Sequence, residues 1–344
     1  MARLDSRRTN LGVFAIVIAS TITGLATFLA GAHSTWWLFW MHGAIGFSLV
    51  ALLWWKGKVI VRGLAARWPA ASAWLSLLTL GVLVAIIGTG VYSAMARGGK
   101  LGPWGMLEVH VGGALIIIPL FITHLFGRWV APAKRDLSRR VLLRAGALAG
   151  AGLAVRLTTQ GVTRAANLAG AQRRFTGSHL IGEPGAAFPD VSWLFDNPKP
   201  VDASAWHLEV GGHVDRPFSV SYAALSTEPR EQTKATIDCT GGWYSEQAWE
   251  GVRLGVLLDR AGVRDGVRSV IVTSVTGYRR AYPVEEARTL LLATHVGGKP
   301  LDHGHGFPAR VVAPGRRGYW WVKWVRRVEP STAPSWLQPP VPLQ

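Results

Sequence analysis

The chain has 344 residues, of which 49% are hydrophobic and 17 are tryptophan, and its formal net charge is +17. This length allows two or three domains. The charge does not indicate nucleic-acid binding, because the basic residues lie in short segments beside long apolar runs and not on one soluble face. The single cysteine excludes a disulfide within the chain.

Four apolar runs occur within the first 130 residues, each long enough to cross a bilayer, which takes about 20 apolar residues. Helices of a soluble bundle would need polar faces, and these runs have almost none. Tryptophans near the ends of the runs suit the lipid–water interface. The sequence therefore predicts an all-α transmembrane bundle over residues 1–130, embedded in membrane lipid. The predicted spans are 11–31, 36–55, 73–95 and 105–127.

Basic residues cluster on one side of these spans. By the positive-inside rule this side is the cytoplasm, so the N-terminus is expected there and the protein in the cytoplasmic membrane of a bacterium. The opposite loops carry only Arg97 and Lys100. The basic residues on the inner side are Arg3, Arg7, Arg8, Lys56, Lys58, Arg62, Arg67, Arg128, Lys134, Arg135, Arg139, Arg140 and Arg144.

A fifth, shorter apolar run at 141–157 follows Ser138, Arg139 and Arg140. This pattern, within segment 131–160, is typical of a twin-arginine export signal. The alternative is an ordinary fifth helix that begins with two arginines. An export signal would mean that the following domain folds in the cytoplasm, where it receives a cofactor, and then crosses to the outer face.

The C-terminal part changes in composition. Residues 161–205 are expected to form a linker and connecting loop rich in glycine and proline, and residues 206–335 a mixed α+β domain. Periodicity predicts a helix over "WEGVRLGVLLDRAGV", 249–263. Strands are predicted over 206–214, 268–275, 308–314 and 320–328.

Cys239 lies at the end of a predicted strand, before the glycine pair Gly241 and Gly242. A lone cysteine is often a buried, inert residue. A strand end that enters a tight turn can instead direct a side chain toward a ligand, and a thiolate is a good ligand for a soft metal. Both interpretations remain open from this residue alone.

The chain from Thr236 to Pro330 resembles the molybdopterin-binding domain of the sulfite oxidase family, which includes the periplasmic methionine sulfoxide reductase catalytic subunit. Four blocks carry the resemblance in the right order: "DCTGGW", "WEGVRLGVLLDRAGV", "VTSVTGY" and "LLATHVGGKPLDHGHGFPARVVAPGRRGYWWVKWVRRVEP". The resemblance implies an oxidoreductase with a molybdenum–molybdopterin cofactor. It also implies that Cys239 is the protein ligand of molybdenum.

The resemblance assigns further positions one at a time. Ser274 falls where the reductase branch has a cofactor-binding threonine, and His305 where sulfite oxidases have a pterin-contacting histidine. Arg310 matches an arginine five residues later, which suits a pterin phosphate. A contact tripeptide before the last strand corresponds to Trp321, Val322 and Lys323.

Tyr278 corresponds to the active-site tyrosine of sulfite oxidases. Upstream the chain departs from the family, because "DVSWLFDNP" replaces the expected polar cluster; Ser192 and Trp193 are expected to occupy that place. Four arginines are predicted to form either an anion pocket or a solvated face. They are Arg279, Arg280, Arg316 and Arg317.

Histidines inside membrane spans are rare and usually functional. His42 and His110 lie at similar predicted depths, roughly 8–9 Å below the outer surface at about 1.5 Å per residue. They are candidate axial ligands of a haem b, and the region loosely resembles four-helix b-type membrane cytochromes. His124 lies about 21 Å further along the same helix and would need a partner for a second haem, where the corresponding position is Lys56. One haem is therefore favoured over two. The alternative is that the helices only anchor the protein.

Three functions remain open. The first is reduction of an S- or N-oxide at molybdenum with electrons from the quinol pool through haem. The second is the reverse, a dehydrogenase of sulfite type, which Tyr278 and His305 favour. The third is a non-enzymatic membrane protein that retains the fold.

Overall fold

The computed structural model describes residues 6–66, 68–96, 99–126, 131–136, 138–193 and 196–341. The predicted interfacial Trp129, the predicted end of the fourth span at Gly127 and several predicted inner-side or loop basic residues lie outside these ranges. Those basic residues are Arg3, Arg67, Arg97 and Arg128. The chain divides into two compact units, residues 1–179 and 180–344.

The first unit is helical. Its five long helices are each long and apolar enough to cross a membrane, which confirms the predicted fold class of this part. The second helix runs ten residues past the predicted end at 55, and the fifth extends past both ends of 141–157. The helices are α1 (Ser6–Leu29), α2 (Trp36–Ala65), α3 (Ala71–Met95), α4 (Met106–Phe126) and α5 (Arg139–Ala165), with a short hairpin of β1 (Lys100–Leu101) and β2 (Trp104–Gly105) before α4.

Helices α2 and α5 approach each other closely through small residues. A β-carbon at Gly152 of α5 would clash with the Ser48 hydroxyl and the Ala44 carbonyl oxygen of α2. Ser48 Oγ also donates a hydrogen bond to the Leu148 carbonyl oxygen at 3.2 Å. Small residues let helix backbones pack tightly where lipid provides no hydrophobic driving force. The register between α2 and α5 is therefore fixed by contacts along the two helices.

The second unit is the predicted α+β domain. Among the described residues it contains a six-stranded sheet, in which β7 and β10 are central, and a five-stranded sheet in the order β5-β4-β13-β8-β9. The strands are β3 (His179–Leu180, at the boundary of the two units), β4 (His207–Val210), β5 (Phe218–Ser221), β6 (Glu231–Asp238), β7 (Trp243–Arg253), β8 (Ser269–Ser274), β9 (Arg279–Pro283), β10 (Leu291–Val296), β11 (Lys299–Pro300), β12 (Arg310–Val312) and β13 (Val325–Ser331). The helices are α6 (Tyr222–Thr227), α7 (Leu254–Ala261) and α8 (Val284–Thr289).

Two sequence predictions for this unit need correction. Residues 249–253 belong to strand β7, and α7 begins only at Leu254, so Val256 is 51% exposed while Leu258 is fully buried. Burial alternates along β7 with a period of two residues, as expected for a strand. The helix predicted from the sequence wrongly included the last five residues of this strand. The predicted strand at 320–328 begins only at Val325, because residues 318–320 form a 3₁₀ turn.

Candidate functional site

Cys239 lies in the turn that joins the antiparallel strands β6 and β7. Its backbone N–H donates to the Trp243 carbonyl oxygen at 2.8 Å, and its carbonyl oxygen accepts from Gly242 N–H at 3.1 Å. Gly242 has φ +90°, a conformation that favours glycine. The Gly241 N–H points at the Cys239 sulfur, 3.4 Å away. The glycine pair thus closes a tight turn around the thiol.

A buried ion pair fixes the backbone at this position. The Arg317 guanidinium donates to the Asp238 carboxylate at 2.5 Å and to the Cys239 carbonyl oxygen at 3.1 Å. Both charged side chains are 3% exposed. Gly318 is packed against Cys239, because a β-carbon there would lie 3.3 Å from its Cα. Sequence reasoning missed this role of Asp238 and left Arg317 open between an anion pocket and a solvated face.

One cavity of the second unit brings together most of the predicted site residues. It is also lined by aromatic side chains, which include Phe188, Trp243 and Tyr319. Ser274 and Val322 do not line it: both are buried, and Ser274 Oγ accepts a hydrogen bond from the Thr276 hydroxyl. The predicted residues that line the cavity are Ser192, Trp193, Cys239, Tyr278, His305, Arg310, Trp321 and Lys323.

Arg310 is a buried cation at this cavity. Its side-chain N–H groups reach the carbonyl oxygens of His305 at 2.9 Å and Trp321 at 3.5 Å, while its Nε has no hydrogen-bond partner among the described residues. Burial lowers the pKa of Arg310 to about 10, so the side chain is charged at neutral pH. A buried cation whose hydrogen bonds within the described part of the chain go only to neutral carbonyl oxygens suits an anionic ligand such as a phosphate.

Lys323 and His305 lie on the same side of the cavity. Lys323 Nζ donates to Asp190 at 3.0 Å, to Ser192 Oγ at 3.2 Å and to the Gly304 carbonyl oxygen. Burial and the Arg310 charge lower the pKa of Lys323. Both ring nitrogens of His305 face oxygen acceptors, so the ring is held in one orientation. These acceptors are Asp302 Oδ2 at 2.9 Å and the Phe188 carbonyl oxygen at 3.1 Å.

Tyr278 is 4% exposed, and its hydroxyl donates to the Tyr319 carbonyl oxygen. Burial raises the pKa of Tyr278 well above the ordinary tyrosine value. The hydroxyl is therefore neutral, so it can act as a hydrogen-bond donor and not as a phenolate.

The four arginines predicted to form an anion pocket or a solvated face have different surroundings. Arg316 forms an ion pair with Glu286, and Arg317 with Asp238. Arg280 is 2% exposed and lies over the Trp320 ring at 4.2 Å, whereas Arg279 is exposed. Carboxylates thus neutralise Arg316 and Arg317. Of the other two arginines, Arg280 is buried and Arg279 is exposed.

Asp196 is a cavity residue that sequence reasoning missed. It is 7% exposed, and its Oδ1 has no hydrogen-bond partner among the described residues. Burial raises the pKa of Asp196, although a hydrogen bond from Thr276 and the nearby Lys323 charge oppose the shift. A buried aspartate in "FDNP" carries no sequence signal of its own, because the loop has no periodicity from which burial could be inferred.

In the first unit, His42 and His110 face each other with ring centroids 6.0 Å apart. His110 Nδ1 lies 2.8 Å from the Ile86 carbonyl oxygen, and His42 Nδ1 lies 3.1 Å from Thr23 Oγ1, which itself donates to the Ala19 carbonyl oxygen. These contacts favour the tautomer with the proton on Nδ1 in both rings, in which Nε2 is the nitrogen able to bind a metal.

The 6.0 Å separation of the ring centroids suits a metal bound by two imidazoles, since bonds of about 2 Å on each side place the ring centres about 6 Å apart. Glycines leave room behind both rings: a β-carbon at Gly24 would lie 3.2 Å from His42, and one at Gly90 would lie 2.9 Å from His110. His124 is not part of this pair, because it lies fourteen residues further along α4.

Comparison with known proteins matches residues 195–337 to the family described as "Oxidoreductase molybdopterin binding domain". The uncharacterized oxidoreductase YuiH of Bacillus subtilis (strain 168) is 35% identical over 139 residues, which cover 39% of this chain and 69% of that protein. The nitrate reductase (NAD(P)H) of Hordeum vulgare is 31% identical over 161 residues, which cover 37% of this chain and only 18% of that protein.

Among solved structures, the sulfane dehydrogenase SoxCD from Paracoccus pantotrophus is 28% identical, covers 39% of this chain and 40% of that chain, and has a TM-score of 0.38. The curated relatives are oxidoreductases, which confirms the predicted enzyme class and sets aside the non-enzymatic alternative. The chain therefore belongs to the molybdopterin-binding oxidoreductases of sulfite oxidase type.

Proposed function

We propose that the chain is a membrane-anchored oxidoreductase that reduces an S- or N-oxide outside the cytoplasmic membrane with electrons from quinol. The observation that carries the proposal is the cavity that combines the Cys239 thiol with the buried Arg310 cation. The first residue offers a soft metal ligand and the second a partner for a phosphate. When bound, the molybdenum cofactor supplies two-electron chemistry at the substrate oxygen.

Different cavity residues would hold different parts of this cofactor. Cys239 would bind molybdenum, and its position is fixed by the Asp238–Arg317 ion pair. Arg310 and Lys323 would bind the anionic part, and the Trp321 ring would line the pocket. The resemblance to the sulfite oxidase family also predicts pterin contacts for five further residues, and these stay predictions. They are His305, Ser192, Trp193, Ser274 and Val322.

Oxide reduction consumes protons as well as electrons, because the oxygen atom leaves as water after uptake of two electrons and two protons. Asp196 is placed to deliver one of these protons: it lies in the cavity, and its raised pKa keeps a proton on the carboxyl at a higher pH than usual. Tyr278 would hydrogen-bond to the substrate oxygen only by exchanging the bond that its single O–H donates to the Tyr319 carbonyl oxygen.

The histidine pair supports the coupling to quinol. His42 and His110 would bind one haem b through their free Nε2 atoms, and the haem would carry electrons one at a time. The geometry supports one haem, since His124 has no second histidine at its depth.

The second candidate is a dehydrogenase of sulfite type, in which electrons and protons move in the opposite direction. Tyr278 and His305 favour it through their resemblance to the oxidase branch. The similarity to the nitrate reductase of Hordeum vulgare adds nitrate to the candidate substrates.

The proposed topology places the N-terminus in the cytoplasm and the catalytic unit on the outer face. The five apolar helices support membrane association. The paired arginines at the start of α5 support a twin-arginine route for the second unit.

Replacement of Cys239 by serine should leave the cofactor bound but abolish turnover, because a mostly protonated hydroxyl is a poor ligand for a soft metal. Arg310→Ala should instead lower the molybdenum content, since a charge-assisted hydrogen bond to a phosphate is worth about 1.5–3 kcal/mol, roughly 10- to 150-fold in affinity. Metal analysis and turnover on the purified full chain measure both. Full activity of Cys239→Ser would contradict the assignment of Cys239.

The haem proposal predicts that His42→Ala and His110→Ala each abolish the low-spin b-type spectrum and quinol-dependent reduction of methionine sulfoxide. Both variants should still reduce it with an artificial donor that bypasses the haem, and His124→Ala should retain the spectrum. Faster turnover of the wild type with sulfite and an electron acceptor than with methionine sulfoxide and quinol would favour the second candidate.

Asp196→Asn should slow turnover about 10²–10⁴-fold, the usual range for loss of a general acid, while molybdenum content is unchanged. Activity of the wild type should fall as pH rises through the elevated pKa of Asp196, because the proton is then lost. The variant should lack this fall. A pH–rate profile that is the same in both proteins would show that Asp196 does not donate the proton.

Replacement of Arg139 and Arg140 by lysine should strand residues 200–344 in the cytoplasm while the first four spans insert normally. The reason is that the twin-arginine route reads the arginine pair and not charge alone. Protease accessibility in intact spheroplasts measures the position of the domain, and replacement of the nearby Arg144 by lysine is the control. An outer-face domain in the double variant would mean that α5 is an ordinary span.

A further inference from the structure

Three side chains from strand β9 and the residue before it hold the 3₁₀ turn that precedes β13. Tyr278, Arg280 and Tyr282 are two residues apart, so they point to the same side of the strand. The Tyr278 hydroxyl donates to the Tyr319 carbonyl oxygen, and the Tyr282 hydroxyl donates to the Trp320 carbonyl oxygen. Arg280 is 2% exposed, and its guanidinium carbon lies 4.2 Å from the centroid of the Trp320 ring. The packing of this turn against β9 is thus set by contacts from all three side chains.

The same turn forms part of the wall of the cavity. Gly318 packs against Cys239, and the side chains of Tyr319 and Trp321 line the cavity. Tyr278 reaches a substrate oxygen only by giving up its bond to the Tyr319 carbonyl oxygen. The movement that this exchange requires therefore depends on how closely β9 and the turn are held together.

Strand β9 is at the edge of the five-stranded sheet, and an edge strand leaves backbone groups on its outer side without a neighbouring strand. The side-chain amide of Gln338 binds these groups. Its Oε1 accepts from the Ala281 N–H at 3.0 Å, and its Nε2 donates to the Ala281 carbonyl oxygen at 2.7 Å. Two such bonds to one residue are what a neighbouring antiparallel strand would make. The second N–H of the amide donates to the Ser335 carbonyl oxygen at 2.5 Å, which fixes the orientation of the amide.

Gln338 belongs to a segment after β13, residues 332–341, that lies along β9. The Pro339 carbonyl oxygen accepts from Arg280 at 3.2 Å, and the Ala333 carbonyl oxygen accepts from the Ser269 hydroxyl at 2.7 Å. None of the residues 332–341 is buried, so the segment has no apolar core of its own. Its attachment to β9 therefore depends mainly on polar contacts, of which Gln338 makes two.

We propose that Gln338 is a positioning residue, which holds Tyr278 in place for the reaction through strand β9. This inference rests on the proposed role of Tyr278 as a hydrogen-bond donor to the substrate oxygen. Gln338 is not among the residues that line the cavity, so its effect on turnover would pass through β9. Without the amide, β9 would lose its support on the outer side, and the Tyr278 hydroxyl would lose its fixed distance from the turn.

The test is a double-mutant cycle of Gln338→Met and Tyr278→Phe in the purified full chain. Turnover is measured with methionine sulfoxide and an artificial donor, and with sulfite and an electron acceptor. Methionine has a similar length but no amide to bind the backbone. Gln338→Met should lower kcat and kcat/KM by the same factor, about 10- to 100-fold, because a misplacement of about 1 Å can cost about 10²-fold. In the Tyr278→Phe background the same replacement should have little further effect, because the hydroxyl that it positions is absent.

Hydrogen exchange provides a measurement that does not depend on turnover. The Ala281 N–H should exchange faster in Gln338→Met than in the wild type, because it loses its acceptor. Molybdenum content equal to that of the wild type shows that the variant is folded. Leu337→Ala is the matched control, since Leu337 is the neighbouring residue and is 68% exposed. It should change neither the exchange nor the turnover.

The outcomes separate this inference from the proposal beneath it. Wild-type turnover in Gln338→Met, or an equal loss in both backgrounds, would refute the positioning role and leave the proposed role of Tyr278 standing. Unchanged exchange at Ala281 would refute it as well. Full turnover of Tyr278→Phe would refute the role of Tyr278 and this inference together.

Discussion

The candidate site of the C-terminal unit depends on one constraint, the cost of a buried cation that forms no ion pair among the described residues. This cation is Arg310, whose hydrogen bonds go to two backbone carbonyl oxygens. A buried charge without an ionic partner is unfavourable in a folded domain. A ligand with a negative charge would remove this cost, which is the physical basis for the proposal that Arg310 binds the anionic part of the cofactor.

The Asp238–Arg317 pair shows how the same domain neutralises a buried cation whose role is structural. Both side chains are almost completely buried, and the guanidinium donates to one carboxylate and one carbonyl oxygen, while its Nε has no hydrogen-bond partner among the described residues. Removal of one partner of such a pair typically costs 3–5 kcal/mol. The pair therefore fixes the backbone at Cys239 without a ligand, whereas Arg310 has no ion-pair partner among the described residues. In its proposed role as the metal ligand, Cys239 would thus be in place before the metal binds, which suits a site that must hold one coordination geometry.

The sequence alone predicted those features that show a hydrophobic pattern or a recognisable motif. Five apolar runs predicted five helices, and the turn at Cys239 followed from its glycine pair. The strand over residues 249–253 was wrongly predicted as helix, because its apolar residues also fit a helical spacing. Asp196 could not be found in this way, because its significance lies in its burial and in a carboxylate oxygen without a hydrogen-bond partner among the described residues. Whether a polar atom has a partner depends on residues far away in the chain, and only the folded structure brings these together.

The burial of Arg310 also bears on the export signal that we propose at the start of α5. Arg310 is 1% exposed and lies under the Trp249 and Trp321 rings. A phosphate bound by this guanidinium would be largely enclosed by the core, so we propose that the cofactor is inserted while the domain folds. With a cofactor made in the cytoplasm, the domain would then complete its fold there before crossing the membrane. The first four helices would need no such delay, because each satisfies its own backbone hydrogen bonds as it enters the lipid. In the proposed topology, two transport routes in one chain would thus follow from a difference in when each half can fold.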